Sequence, residues 1–562
     1  MKKLTVAFIT LCIAWAANAQ LDHKIKPLNQ QDTLRGAITA ERAWWDVQHY
    51  AITVNPDFAT KTISGSNNIR FKAIAAGSIM QIDLQGVLQI DSIAIVYSSP
   101  QTKDKKWNAD TKKDLTRNGN AWYIHTPGGF EINQNYTLTI YYHGKPKEAL
   151  RAPWDGGWIW KKDQNNNPWM SVACQGLGAS VWYPCKDHQS DEPDNGATLT
   201  IIVPDTLTAV GNGRLANKQQ MGNSTTAWVW KVTNPINNYN IIPYIGKYTN
   251  FTETYIGETE KNLELSYWVL NYNETKAKEQ FKQVVPMLQC FEKWFGPYPF
   301  YEDGFKLVES PHLGMEHQSA VAYGNQFKNG YLGRDLSGTG WGLKWDFIII
   351  HESGHEWFGN NITSKDLADM WIHESFTNYS ETIYTQCQFG IEAGNDYVIG
   401  TRNNIANDIP IIAPYNVNKE GSGDMYYKGG NMIHTIRQII NNDEKFRQLL
   451  RGLNKTFYHQ TVTTQQVETY ISQQSGINFS KVFDQYLRST QIPVLEYKIK
   501  GNTVTYRWSN CVSGFNMPVK IFAGKEQWLK PTQKWQSTRF ADWFNAKQFK
   551  IDRNFYIETK KL

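Results

Sequence analysis

His351 and His355 stand four residues apart in His351-Glu352-Ser353-Gly354-His355, and this pattern restricts the fold more than any other part of the chain. On a helix, residues four apart share a face, so both imidazoles can reach one ion. The preceding Ile348-Ile349-Ile350 run, strand-like by itself, is therefore expected as a buried helix. Zinc in a catalytic site takes three protein ligands and keeps one position open. Glu352, between the histidines, is placed to accept a proton from water at that position. The third ligand decides the class. A metzincin needs Gly at 358 and His at 361, and these positions hold Phe358 and Asn361. Glu374 follows His355 with eighteen residues between them, enough for a second helix to lie back across the first. His351, His355 and Glu374 are thus the expected ligands of one zinc ion. The side chain of His373 should point about 100° away from that of Glu374, which makes it a neighbour. Gly354, mid-helix, costs about 1 kcal/mol against Ala, and close packing beside the metal would account for it.

The 562 residues are too many for one core. Alternating stretches such as Gln48 to Val54, Tyr136 to Tyr142 and Thr198 to Val203 predict strands, punctuated by Asn165-Asn166-Asn167-Pro168 and Gly211-Asn212-Gly213. Helical periodicity follows in Glu279 to Trp294, Leu343 to Phe358, Ala368 to Tyr384, Gly430 to Ile440 and Gln465 to Gln474. Short alternating runs return after Pro493. The expected class is multidomain α+β. A leader spans 1–19, a β-rich domain 20–251, a mainly helical domain 252–487 and a small β-domain 488–562.

The leader has three parts: Lys2-Lys3, an apolar run from Leu4 to Ala17, and Ala17-Asn18-Ala19 before Gln20. It predicts export to the periplasm or beyond. No stretch is long and apolar enough to predict a transmembrane span. The net charge is +6 with no dense basic run, so nucleic acid is not an expected partner. Five cysteines follow the leader, so at least one is unpaired within the chain. Cys174 and Cys185 are read either as a disulfide or as buried thiols.

Several separated motifs then carry a resemblance. Trp294-Phe295-Gly296-Pro297-Tyr298-Pro299, Gly314-Met315-Glu316-His317, His355-Glu356-Trp357-Phe358-Gly359-Asn360 and Tyr426-Tyr427-Lys428-Gly429 occur in order. Cys174-Gln175 and Pro184-Cys185-Lys186-Asp187 stand upstream. Together they resemble the gluzincin zinc aminopeptidases typified by aminopeptidase N and leukotriene hydrolase, from about Trp45 to Tyr497. The resemblance implies a thermolysin-like catalytic domain with a small edge sheet, and a β-sandwich for the small C-terminal domain. It implies Tyr426 as donor to the oxyanion, Glu316 and Gln175 as the grip on a substrate α-amine, and Gly314 and Met315 as backbone that pairs with a peptide. The expected substrates are peptides with a free N-terminus. Departures are Leu313, His317, Glu356 and His373-Glu374-Ser375, where the family usually has Gly, Asn, Gln and Asn-Glu-Gly. The long helical C-terminal domain of many members is not expected in this chain. Hydrolysis of a lipid epoxide, as in one branch of the family, and a catalytically dead scaffold are the rival readings, although no ligand or base is lost here.

Overall fold

The structure is a computed structural model that describes residues 27–99, 102–541 and 543–562; the leader expected at 1–19 lies outside them. An eight-stranded sheet is built around Trp45–Asp57, which pairs antiparallel with Thr62–Ala73 and parallel with Ala197–Pro204. Val47, Tyr50, Ile52 and Val54 of the central strand are buried. A bulge between Val47 and His49 shifts the register, so the two-residue period is interrupted once. A four-stranded sheet packs into the same core. Its strand Pro168–Ala173 runs directly into Cys174-Gln175 and thereby aims that loop at the neighbouring domain.

The second region begins with a five-stranded sheet ordered Tyr248–Ile256, Asn262–Leu270, Phe305–Glu309, Val321–Tyr323 and Gly314–Met315. The 251/252 boundary falls inside the first of these strands, which pairs along its whole length with Asn262–Leu270. One face of the sheet, with Leu265, Tyr267 and Leu307, packs on the helices. The other face, with Val308, Met315 and Ala322, packs into the core of the N-terminal region. Gly314–Met315 is an edge strand, paired on one side only with Val321–Tyr323. An edge strand presents unpaired backbone groups that an extended peptide can use.

The helices differ from the periodic windows at their ends, for local reasons. The window from Glu279 breaks into a tight turn at Phe281–Gln283, and the main helix is Val284–Phe295. Pro286 sits in its first turn, where a missing N–H is tolerated. The window from Leu343 to Phe358 yields a helix over Phe347–Gly354 only. Asp346 caps it by accepting from Ile348 N and Ile349 N. Beyond His355 the chain leaves helical geometry at Phe358 (φ −127°, ψ 95°) and Gly359 (φ 131°). The latter is a conformation that favours glycine.

The C-terminal region is a four-stranded sheet facing a three-stranded one. Trp508, Val519, Ile521 and Leu529 are buried in it, within the same apolar cluster as Phe483 and Tyr486 of the helical region. Cys290 and Cys387 form a disulfide between the helices Val284–Phe295 and Trp371–Phe389. Cys174 and Cys185 are separate buried thiols, so the pairing considered for them does not occur.

Candidate metal centre and active site

Two helices cross at Gly354. The first carries His351 and ends at His355; the second, Trp371–Phe389, carries Glu374. They approach closely because Gly354 has no side chain: a Cβ there would lie 2.5 Å from Ser380 Oγ and 3.2 Å from Thr377 Cγ2. This packing explains the glycine, which is the last residue of the helix and not in its middle as the sequence suggested. His351 Nε2 lies 3.7 Å and His355 Nε2 3.4 Å from Glu374 Oε2. Ligands about 2.0–2.1 Å from a tetrahedral ion stand about 3.3 Å apart, so these spacings fit zinc. His351 Nε2 and Glu374 Oε2 are buried without a hydrogen-bond partner among the described residues. Buried polar atoms are normally satisfied, and an ion between these would satisfy them.

The far side of each imidazole is fixed. His351 Nδ1 is 2.7 Å from Glu381 Oε1, and Glu381 also accepts from Asn378 Nδ2 and Tyr397 OH. His355 Nδ1 is 3.0 Å from the Phe358 carbonyl, which the non-helical turn at 358–359 directs back towards it. Both contacts set the tautomer that points Nε2 into the site. Burial disfavours charge on His351, but Glu374 and Glu381 outweigh it and hold its pKa well above the usual value. His355 is raised against the same opposition, chiefly by Glu374. The pocket is therefore rich in carboxylate and draws positive charge. Glu316, Glu352 and His355 form a second possible grouping. It would occupy the base, and Glu316 already accepts two side-chain hydrogen bonds, so the first grouping fits better.

Glu352 is fully buried, its Oε1 has no hydrogen-bond partner among the described residues, and burial lifts its carboxyl to about 7. The Gly314 backbone lies against it; a Cβ on Gly314 would come 2.6 Å from Glu352 Oε1. The glycine thus lets the edge strand run directly over the base. Tyr426 precedes the helix Tyr427–Ile440 and stacks near His351, with ring centroids 6.0 Å apart. Its phenol makes no hydrogen bond to a described residue, and burial beside Glu374 and Glu420 keeps it protonated. Lys428, in the same motif, turns away and donates to the Ser489 carbonyl.

Glu316 closes one end of the cleft. Gln175 Nε2 donates to its Oε1 at 2.6 Å and Tyr239 OH at 2.9 Å. Asn360 Nδ2 holds the Glu316 carbonyl, and Asn240 holds Asn360. Gln175, Glu316, Glu352, Glu374 and Tyr426 all line one narrow cleft of about 50 Å³. A larger cavity, about 670 Å³, lies around Pro297, Tyr301, Arg451 and Tyr458 and contains none of these groups.

The structure therefore brings together the nine residues singled out from sequence: His351, His355, Glu374, Glu352, Tyr426, Gln175, Gly314, Met315 and Glu316. His373 is a neighbour, its Nε2 accepting from Ser364 N. His317 faces away from the cleft, 2.5 Å from Tyr244 OH, and burial keeps it neutral. Glu356 accepts from Ser319 N, and burial raises it to about 8. Burial thus favours its uncharged form, which suits a position where the family usually has an amide. Sequence reasoning missed Tyr239, Glu381 and Glu420. Glu381 follows Glu374 by seven residues, two helical turns on the same face, and that spacing could have revealed it. Tyr239 and Glu420 lie in irregular segments with no periodic signal.

Two family models match the chain: the peptidase M1 N-terminal domain over residues 46–239 and the peptidase family M1 domain over 279–486. Puromycin-sensitive aminopeptidase of Caenorhabditis elegans is 21% identical over 466 residues, covering 80% of this chain and 47% of that protein. Aminopeptidase N of Lactococcus lactis is 25% identical over 227 residues, 36% of this chain and 27% of that one. The chain spans about half or less of the length of such relatives. An M1 zinc metallopeptidase mutant from Deinococcus radiodurans, bound to a Tyr-Ser-Ala substrate, shares the fold. Its TM-score is 0.65 at 19% identity, over 82% of this chain and 99% of that one. With the fold, the zinc-type ligand set and both family domains in order, the chain belongs to the M1 peptidase family.

Proposed function

We propose that the protein is a zinc-dependent aminopeptidase that hydrolyses the first peptide bond of peptides with a free N-terminus. The observation that carries this reading is Glu316, a buried carboxylate held by Gln175 and Tyr239 at the end of the cleft that contains Glu352. One zinc ion held by His351, His355 and Glu374 would polarise the scissile carbonyl and acidify a water. The edge strand Gly314–Met315 pairs with the substrate backbone and lays the first peptide bond over Glu352. Glu352 takes the proton of the attacking water and passes it to the leaving amine. Tyr426 donates its phenol hydrogen to the oxygen that becomes negative. Glu316, with Gln175 beside it, accepts the α-ammonium. An acetylated terminus offers no charge and leaves that carboxylate unpaired, at a cost of about 1–3 kcal/mol.

The test is a peptide pair differing only in N-acetylation, with and without chelator, followed by mass spectrometry. Chelation abolishes turnover and zinc restores it. The acetylated peptide is cut at least about tenfold more slowly, and Glu316→Ala narrows that gap. Internal cleavage of the acetylated peptide at the rate of its partner would refute the exopeptidase reading. The leader at 1–19 and the Cys290–Cys387 disulfide both support an exported protein, because disulfides persist in oxidising compartments. A mature N-terminus at Gln20 in a periplasmic or extracellular fraction is the expected result.

A further inference from the structure

The family match begins at residue 46, yet the chain ahead of it contacts both rims of the cleft. Gln30–Gly36 is a seven-residue helix, too short to persist alone. It is held at both ends. Asn29 accepts from Gln31 N and Asp32 N, while the Asp32 carboxylate accepts from Asn29 N. At the other end, Arg42 donates to the carbonyls of Leu34, Arg35 and Ala37. Arg42 is fully buried and ion-paired with Asp83.

From this fixed helix Arg35 reaches two loops at once. Its Nη1 donates to the Gly176 carbonyl at 2.7 Å and to Asn418 Oδ1 at 2.6 Å. Its Nε lies 3.3 Å from Asp187 Oδ2. Gly178, with φ +93°, leaves the room: a Cβ there would lie 2.0 Å from Asp187 Oδ2 and 2.5 Å from Arg35 Nε. The helix backbone meets the second loop as well. Asn418 N donates to the Asp32 carbonyl at 2.9 Å, and a Cβ on Gly36 would lie 2.2 Å from the Val417 carbonyl carbon. Gly176 adjoins Gln175, which holds Glu316, and Asn418 stands two residues before Glu420. Gln175 and Glu420 face each other's loops across the same cleft. Between these loops the covalent path is more than two hundred residues, so nothing local fixes their separation.

We propose that Arg35 is a positioning residue, clamping the Gln175 loop to the Glu420 loop and so setting the closed end of the cleft where the first residue of the substrate sits. The proposal rests on the aminopeptidase reading for its kinetic consequence, not for the clamp itself. A planar guanidinium can hold several acceptors in fixed directions, which an ammonium does less well. Asp187 would not be stranded without Arg35, because Ser180 Oγ donates to it at 2.6 Å. An Arg35 variant should therefore fold.

The experiment compares the zinc-loaded full chain with Arg35→Ala, Arg35→Lys and Gly36→Ala, the last displacing the helix without touching the guanidinium. On free-amine aminoacyl amides, Arg35→Ala should raise KM about fivefold to tenfold with kcat within about threefold. Arg35→Lys should recover part of that loss, Gly36→Ala should follow Arg35→Ala, and zinc content should not change. Hydrogen exchange, which needs no activity, should quicken in both 174–178 and 414–421 when Arg35 is removed. Unchanged exchange in either loop would overturn the clamp. A lowered Tm with KM unchanged would make Arg35 a structural staple and overturn its positioning role. An unmutated protein that turns over no free-amine substrate would instead overturn the aminopeptidase reading, and the exchange result would still decide the clamp.

Discussion

The two halves of the active site are built in opposite ways. The metal half lies within one domain. His351, His355, Glu374 and Glu381 come from two crossing helices within thirty-one residues of chain, and their contacts are buried in one apolar core. The amine half is assembled across domains: Gln175 and Tyr239 come from the N-terminal region and Glu316 from the edge of the next domain's sheet. Helical periodicity can hold the first half rigid. The second depends on a domain interface and on loops, so the candidate metal site is locally encoded while the setting of Glu316 is a property of the assembly.

Breaking the metal half should cost most. Glu352→Gln should lower kcat by about 10²-fold or more while elemental analysis still finds zinc; a metal-free variant would move Glu352 among the ligands. Tyr426→Phe should lose a comparable factor, about 10², also with zinc retained. Near-normal turnover would shift attention to Tyr427. Glu381→Ala should weaken zinc about 10–100-fold in a chelator competition, with KM unaltered at saturating zinc. An altered KM there would show that the halves are not separable.

Effects on the amine half should be smaller. Tyr239→Phe removes one hydrogen bond to Glu316 and should raise KM for free-amine substrates about threefold to tenfold without changing zinc content. A loss of zinc in that variant would again join the halves. The smallest effect is expected at Glu356, behind both. Its folded pKa, about 8, exceeds the ordinary 4.5 because it is buried. Between these values the folded state holds a proton that the unfolded state has lost, so stability falls as pH rises through this window and levels off above about 8. Glu356→Gln should flatten the decline of Tm between pH 5 and 8 and leave activity within about twofold. An unchanged decline would mean that Glu356 is already ionised in the folded protein across this range.

Much of the catalytic half was legible because it follows a helical period. Two histidines four apart and a glutamate one loop later are relations between near neighbours, and a glycine at 354 marked the helix crossing before Ser380 was known to face it. The end of the first helix was not legible. Its periodic window continued to Phe358, whereas the turn at Phe358–Gly359 is needed to return a carbonyl to His355. Nor was the disulfide, since Cys290 and Cys387 are separated by 97 residues and only helix packing brings them together.

By itself, then, the sequence singled out the candidate ligand set and base that the structure brings together, most of the helices that carry them, and the order of strand-rich and helical regions. Each of these rests on spacing within a few turns or strands, where backbone geometry leaves few alternatives. Tertiary structure alone decided that Tyr239 shares Glu316 with Gln175, that His317 pairs with Tyr244, and that Arg35 reaches both rims. Those contacts join residues between 73 and 383 positions apart. Packing of whole elements brings them together, and no local period in the chain records it.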